Sequence, residues 1–97
     1  MEIGKTIRKL RKAAGMDQKQ FASALELSNS LISLIETGQR EPSLSQLKKI
    51  SRVLGVPVSI LVFDPDQEFA SGLNVPKEEV RSIHDLMIHV LGHYAKT

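Results

Sequence analysis

The chain has 97 residues, which is room for one small domain and an appendage but not for two full cores. Apolar residues are 41% and charged residues 25%, proportions that exclude a disordered chain and a membrane protein as the starting point. Cysteine and tryptophan are absent and aromatics are only 4%, which removes disulfides, iron–sulfur clusters, cysteine zinc sites and the aromatic platforms that stack single-stranded bases.

Residues 2–14 place Ile3, Ile7, Leu10 and Ala14 at spacings of four, three and four. That stripe predicts an amphipathic first helix, with Lys5, Arg8, Lys9, Arg11 and Lys12 on its other faces. Gly15 is placed to end it. Asp17 is a candidate N-cap for a second helix carrying Phe21, Ala22 and Leu25. After the break at Glu26-Leu27-Ser28, Ser28 is placed to cap a third helix holding Leu31, Ile32 and Ile35. Gly38 closes that helix, and residues 39–42 read as an exposed loop. Ser43 caps a fourth helix, with Leu44, Leu47, Ile50 and Leu54 on one side, and Gly55 stops it. Pro57 opens a short fifth helix with Val58, Leu61 and Val62. No period-two alternation competes, so the expectation is all-α, with one core over residues 1–63.

Residues 64–75 change character, with Asp64, Pro65, Asp66, Gly72 and Asn74 among scattered apolar residues, and read as a linker. Residues 76–97 then read as a last helix opened by Pro76. Val80, Ile83, Met87, Val90 and Tyr94 fall three, four, three and four apart, a seam about two heptads long, widened by Leu86 and Leu91. Three arrangements satisfy that seam: pairing with the same helix of a second chain, folding back onto the first domain, or binding a different protein such as a toxin or an antirepressor. Pairing is the expectation, because the five-helix domain reads as complete ahead of it. His84, His89 and His93 lack the companion ligands of a metal site, and no metal or other cofactor is expected.

The net charge of +2 hides an asymmetry. Residues 1–63 hold ten Lys/Arg and five Asp/Glu, whereas residues 64–97 hold three and six. A basic module joined to an acidic segment fits a phosphate-binding domain followed by an assembly element.

Two short helices joined by a three-residue break, over 18–37, have the form of a helix-turn-helix. Many positions agree in order: Leu10-Arg11, Ala14-Gly15, Gln18, Phe21-Ala22, Leu25, Ser28, Ile32-Ser33, Ile35-Glu36, Gly38, Pro42-Ser43, Leu47 and Leu54-Gly55-Val56. Over roughly residues 3–63 the chain resembles the phage-repressor-like, or XRE-type, helix-turn-helix family. The resemblance implies a five-helix lambda-repressor-like fold with the third helix, about 29–37, as recognition helix. It implies a transcriptional regulator, a repressor first, that binds a palindromic site on double-stranded DNA as a dimer. Carried over by position, Asn29, Ser30, Ser33 and Leu34 match residues that reach base edges. Gln18, Thr37, Gln39, Arg40 and Ser43 match residues near phosphates. Arg11 and Glu36 match a structural ion pair. The chain departs from the family in having Glu26 where the turn usually has glycine, and in having no Arg or Lys among the outward residues of the recognition helix.

Other readings are poorer. No nucleophile elbow, phosphate-cradling glycine loop or spaced carboxylate pair is present, so an enzyme is not expected. The alternative is an interaction module, antitoxin-like, whose helix-turn-helix is structural and whose partner is a toxin or an antirepressor. The charged start MEIGKTIRKLRK has no apolar run behind it, so no signal peptide or membrane association is expected, and a cytoplasmic location is. On the last helix, Val80, Ile83, Met87, Val90 and Tyr94 are the expected dimer contacts.

Overall fold

The computed structural model describes residues 3–63 and 77–95, with the side chains of Lys77, Val80 and 91–95 outside the described set. The described residues form six helices and no strand: α1 (Ile3–Ala13), α2 (Gln18–Leu25), α3 (Asn29–Glu36), α4 (Leu44–Leu54), α5 (Val58–Val62) and α6 (Lys77–Ala95). The linker expected over 64–75 lies outside the described residues. No described helix is long and apolar enough to cross a membrane.

Helix boundaries follow side-chain chemistry at each end. Asp17 accepts from the Gln20 N–H while the Gln20 side chain accepts from the Asp17 N–H, and Ser43 and Gln46 repeat the exchange at α4. These reciprocal caps satisfy main-chain donors that the helix itself leaves unpaired. Ser28 accepts from the Leu31 N–H at the start of α3. At the far ends, Gly15 and Gly55 take positive φ and let the last turns of α1 and α4 close.

The core is built from one stripe of each helix. Ile7 and Leu10 of α1 meet Phe21 and Leu25 of α2, Ile32 and Ile35 of α3, Ile50 and Leu54 of α4, and Leu61 of α5. All nine are essentially inaccessible to water, and each contributes roughly 1.5–3 kcal/mol on burial. Leu44 does not join them. Its spacing puts it on the core side, yet it is 63% exposed, because it sits at the first position of α4, before the helix reaches the core.

Helix α6 lies along α1 rather than standing clear of the domain. It buries His84 and Ile88. The His84 ring lies 4.9 Å from that of Phe63, and its Nε2 is 3.4 Å from the Ile60 carbonyl oxygen. At the edge of the contact, Lys9 Nζ meets Asp85 Oδ1 at 3.3 Å. Both side chains are more than half exposed, so this pair sets orientation more than stability. The other side of α6 presents Ile83, Leu86, Met87 and Val90 to solvent. The helix therefore has two apolar faces, one docked on its own domain and one open.

Glu26 occupies the left-handed region, with φ 58° and ψ 38°, at the end of α2. A side chain there clashes with its own backbone, at a cost of about 1–2 kcal/mol that glycine avoids. Glu26→Gly is expected to stabilise the protein by about 1 kcal/mol. In a domain of this size that corresponds to a melting temperature higher by roughly 4–8 °C, read by circular dichroism. An unchanged or lower melting temperature would show that the strain is relieved elsewhere.

Candidate nucleic-acid interface

Helix α3 is amphipathic in a way that leaves a polar face outside. Ile32, Ile35 and Glu36 are buried and Leu31 is packed against the core. Asn29, Ser30 and Leu34 are exposed, and Ser33 is half-buried. The four residues that the resemblance assigns to base edges thus share the solvent side of one helix. Thr37, Gln39, Arg40 and Ser43 continue that surface into the loop before α4, all exposed.

The far side of α3 is held by a buried ion pair. Arg11 Nε donates to Glu36 Oε2 at 2.7 Å and Arg11 Nη2 donates to Glu36 Oε1 at 3.0 Å. The side chains are 7% and 1% exposed. The third guanidinium nitrogen donates to the Met16 carbonyl at 2.8 Å. Gln18 Nε2 adds a bond to Glu36 Oε1 at 3.2 Å. The carboxylate therefore accepts three bonds, and no buried side-chain polar atom among the described residues lacks a partner. This bidentate geometry is the form in which a buried pair best recovers its desolvation cost.

The same bonds define what each polar group has left to offer. Gln18, half-buried, spends one amide N–H on Glu36 and has a second to offer. Ser43 uses its hydroxyl oxygen and its main-chain N–H in the α4 cap, and its hydroxyl proton remains. Thr37 is more committed. Its hydroxyl donates to the Ser33 carbonyl at 2.9 Å, with Leu34 as a second acceptor at 3.2 Å, and accepts from Gln39 Nε2 at 3.0 Å. Among the phosphate candidates, Thr37 is thus the one whose donor is already taken. Arg40 keeps an exposed guanidinium with no ion pair among the described residues.

Sequence reasoning passed over Gly4. It is buried within α1, where the helix crosses the end of α3. A Cβ there would collide with the Ile35 carbonyl oxygen and press on that of Glu36 at 3.0 Å. The signal was a glycine placed inside an otherwise sound helix, where it lowers helix stability unless close packing requires it. On α6, Ile83, Met87 and Val90 are exposed, whereas the side chains of Val80 and Tyr94 lie outside the described residues. No cluster of three or more His, Asp or Glu able to hold a metal occurs among the described residues.

A profile described as helix-turn-helix matches residues 7–61. Control protein C.MunI of a Mycoplasma species is 38% identical over 69 residues, which cover 70% of this chain and 93% of that protein. The immunity repressor protein of Bacillus phage phi105 is 37% identical over 62 residues, covering 64% of this chain and 43% of the repressor. The HTH-type transcriptional regulator PuuR of Escherichia coli is 31% identical over 64 residues, covering 66% of this chain and 35% of that regulator. The chain spans nearly all of the first of these and less than half of the other two. No solved structure gives a significant match.

Removing one partner of the buried pair strands the other. Glu36→Ala is expected to lose about 3–5 kcal/mol in urea unfolding. Replacing both partners, Arg11→Met with Glu36→Leu, is expected to retain more stability than either single change. A Glu36→Ala loss under about 1 kcal/mol would contradict a central role for the pair.

Proposed function

The chain belongs to the helix-turn-helix family of repressor-like regulators, which bind DNA and are not enzymes, and on that premise we propose that it is a dimeric, sequence-specific repressor with α3 in the major groove. The observation that carries this reading is the outward face of α3. It offers Asn29, Ser30, Ser33 and Leu34 to base edges while its inward face is fixed by the core and by Glu36. Gln18, Gln39, Arg40 and Ser43 flank that face as phosphate contacts, which set register and carry no sequence information. Thr37 is assigned to the same set with its hydroxyl already engaged.

The chemistry of the face limits what it reads. Without Arg or Lys on α3, the bidentate guanine contact is missing. Asn29 suits an adenine edge and Leu34 a thymine methyl, so the preferred half-site is A·T-rich where these two residues reach. Selection from random duplexes at low salt is expected to enrich a palindrome with half-sites about one helical turn, roughly 34 Å, apart. On the selected site Asn29→Ala is expected to cost roughly 1–3 kcal/mol and relax the preference at one base pair. Arg40→Ala is expected to weaken all sequences alike and to flatten the salt dependence. Selection that enriches nothing would favour a protein-binding module instead, with a toxin or an antirepressor as the partner class.

Dimerisation is assigned to the α6 seam of Val80, Ile83, Met87, Val90 and Tyr94, of which Ile83, Met87 and Val90 are on the open face. Two observations support it: Ile83, Leu86, Met87 and Val90 are exposed together, and the opposite face is already used within the chain. Met87→Glu is expected to convert a dimer into a folded monomer in sedimentation, with an unchanged circular dichroism spectrum. A dimer that persists in Met87→Glu would move the interface elsewhere. Repression by occupying a promoter in the cytoplasm is the simplest mechanism for such a regulator.

A further inference from the structure

Beyond the residues already assigned, α1 carries two cations beside the recognition helix. Lys5 and Arg8 line, with Gly4, Glu36, Thr37 and Gly38, a surface concavity of about 300 Å³. Both side chains are exposed, and neither has a hydrogen bond or ion pair among the described residues. The only acid in the concavity, Glu36, is neutralised by Arg11 on its buried side. The other polar groups there are committed. The Gly38 N–H donates to the Ile35 carbonyl, the Thr37 N–H to that of Ser33, and the Thr37 hydroxyl to those of Ser33 and Leu34. An anion seated at this end of α3 therefore finds its free donors on α1, not on α3.

We infer that Lys5 and Arg8 form a phosphate seat at the C-terminal end of the recognition helix and take the role that position alone would give to Thr37. The inference rests on the proposed docking of α3 in the major groove, which runs a phosphate backbone past Thr37. Gly4 makes the seat possible. Because it has no Cβ, α1 approaches the Ile35 and Glu36 carbonyls closely enough to hold Lys5 and Arg8 beside the groove-facing helix. Lys9, one position further along the same helix, is turned toward Asp85 of α6 and is not part of the seat.

The test is the salt dependence of duplex binding, followed by fluorescence anisotropy on the selected site. Each phosphate contact contributes about 0.9 to the slope of log K against log salt. The Lys5→Gln/Arg8→Gln double variant is expected to lower that slope by about 1.8 per bound protomer, with the base preference unchanged. Lys9→Gln is expected to leave the slope where it is. A double variant with the wild-type slope would overturn the seat, as would a Lys9→Gln loss as large per charge removed, since that would report net charge alone. Wild-type protein that binds no duplex at low salt would remove the docking itself, an outcome distinct from normal binding with an unaltered slope in the double variant.

Discussion

The Arg11–Glu36 pair joins four stretches of chain at one buried point. Arg11 comes from α1, Met16 from the following turn, Gln18 from the start of α2, and Glu36 from the last turn of α3. A carboxylate at the end of a helix opposes the helix dipole, and a buried one also loses its hydration. Both penalties are offset only because the guanidinium approaches side-on and Gln18 fills a further acceptor site. Because its bonds reach four stretches, the arrangement ties the position of α3 to the path of the chain through the first turn. Apolar packing of Ile32 and Ile35 attracts α3 to the core. The ion pair fixes its rotation.

Helix α1 is the element on which the remaining contacts converge. One stripe, Ile7 and Leu10, is core. Gly4 and Arg11 face α3, Lys9 faces α6, and Lys5 and Arg8 face the concavity beside Thr37. Helix α6 shares this economy. His84 and Ile88 are one turn apart and dock inward, while Ile83, Met87 and Val90 follow a neighbouring stripe and stay open. Nineteen residues are enough for both. Folding back and pairing, which compete as readings of the sequence, are compatible on this helix because they use different faces.

What was legible in the sequence was local. Asp17, Ser28, Ser43 and Gly55 mark helix ends because each acts on main-chain groups within a few residues of itself, and the structure places caps at all four. The core stripes of α1 to α5 were legible for the same reason, with Leu44 and Val62 as exceptions: periodicity assigns a face but not whether the core extends that far along the helix. Of the long-range relations, the Arg11–Glu36 pair came only through the resemblance, and the docking of α6 was not legible. A single isoleucine and a histidine four residues apart make no stripe, so the docked face of α6 was outweighed by the richer seam beside it. Among the site residues, exposure and grouping of Asn29, Ser30, Ser33 and Leu34 followed from spacing. The prior commitment of the Thr37 hydroxyl did not, since it depends on backbone carbonyls whose directions no residue type records.

Gly4 brings α1 and α3 together main chain to main chain. Contacts between side chains have slack, because a rotamer can turn or a methyl can shift by a few tenths of an ångström. Carbonyl oxygens against a Cα have none. The end of α3 is thus held against α1 by a main-chain contact that no rotamer change can loosen. Because α6 lies along α1, its open face is carried by the same helix. A second molecule held there would have its reading head set at a fixed distance and angle from the first. In the proposed dimer, such an assembly would measure spacing on DNA like a caliper, with little capacity to adapt when a base pair is added or removed between half-sites.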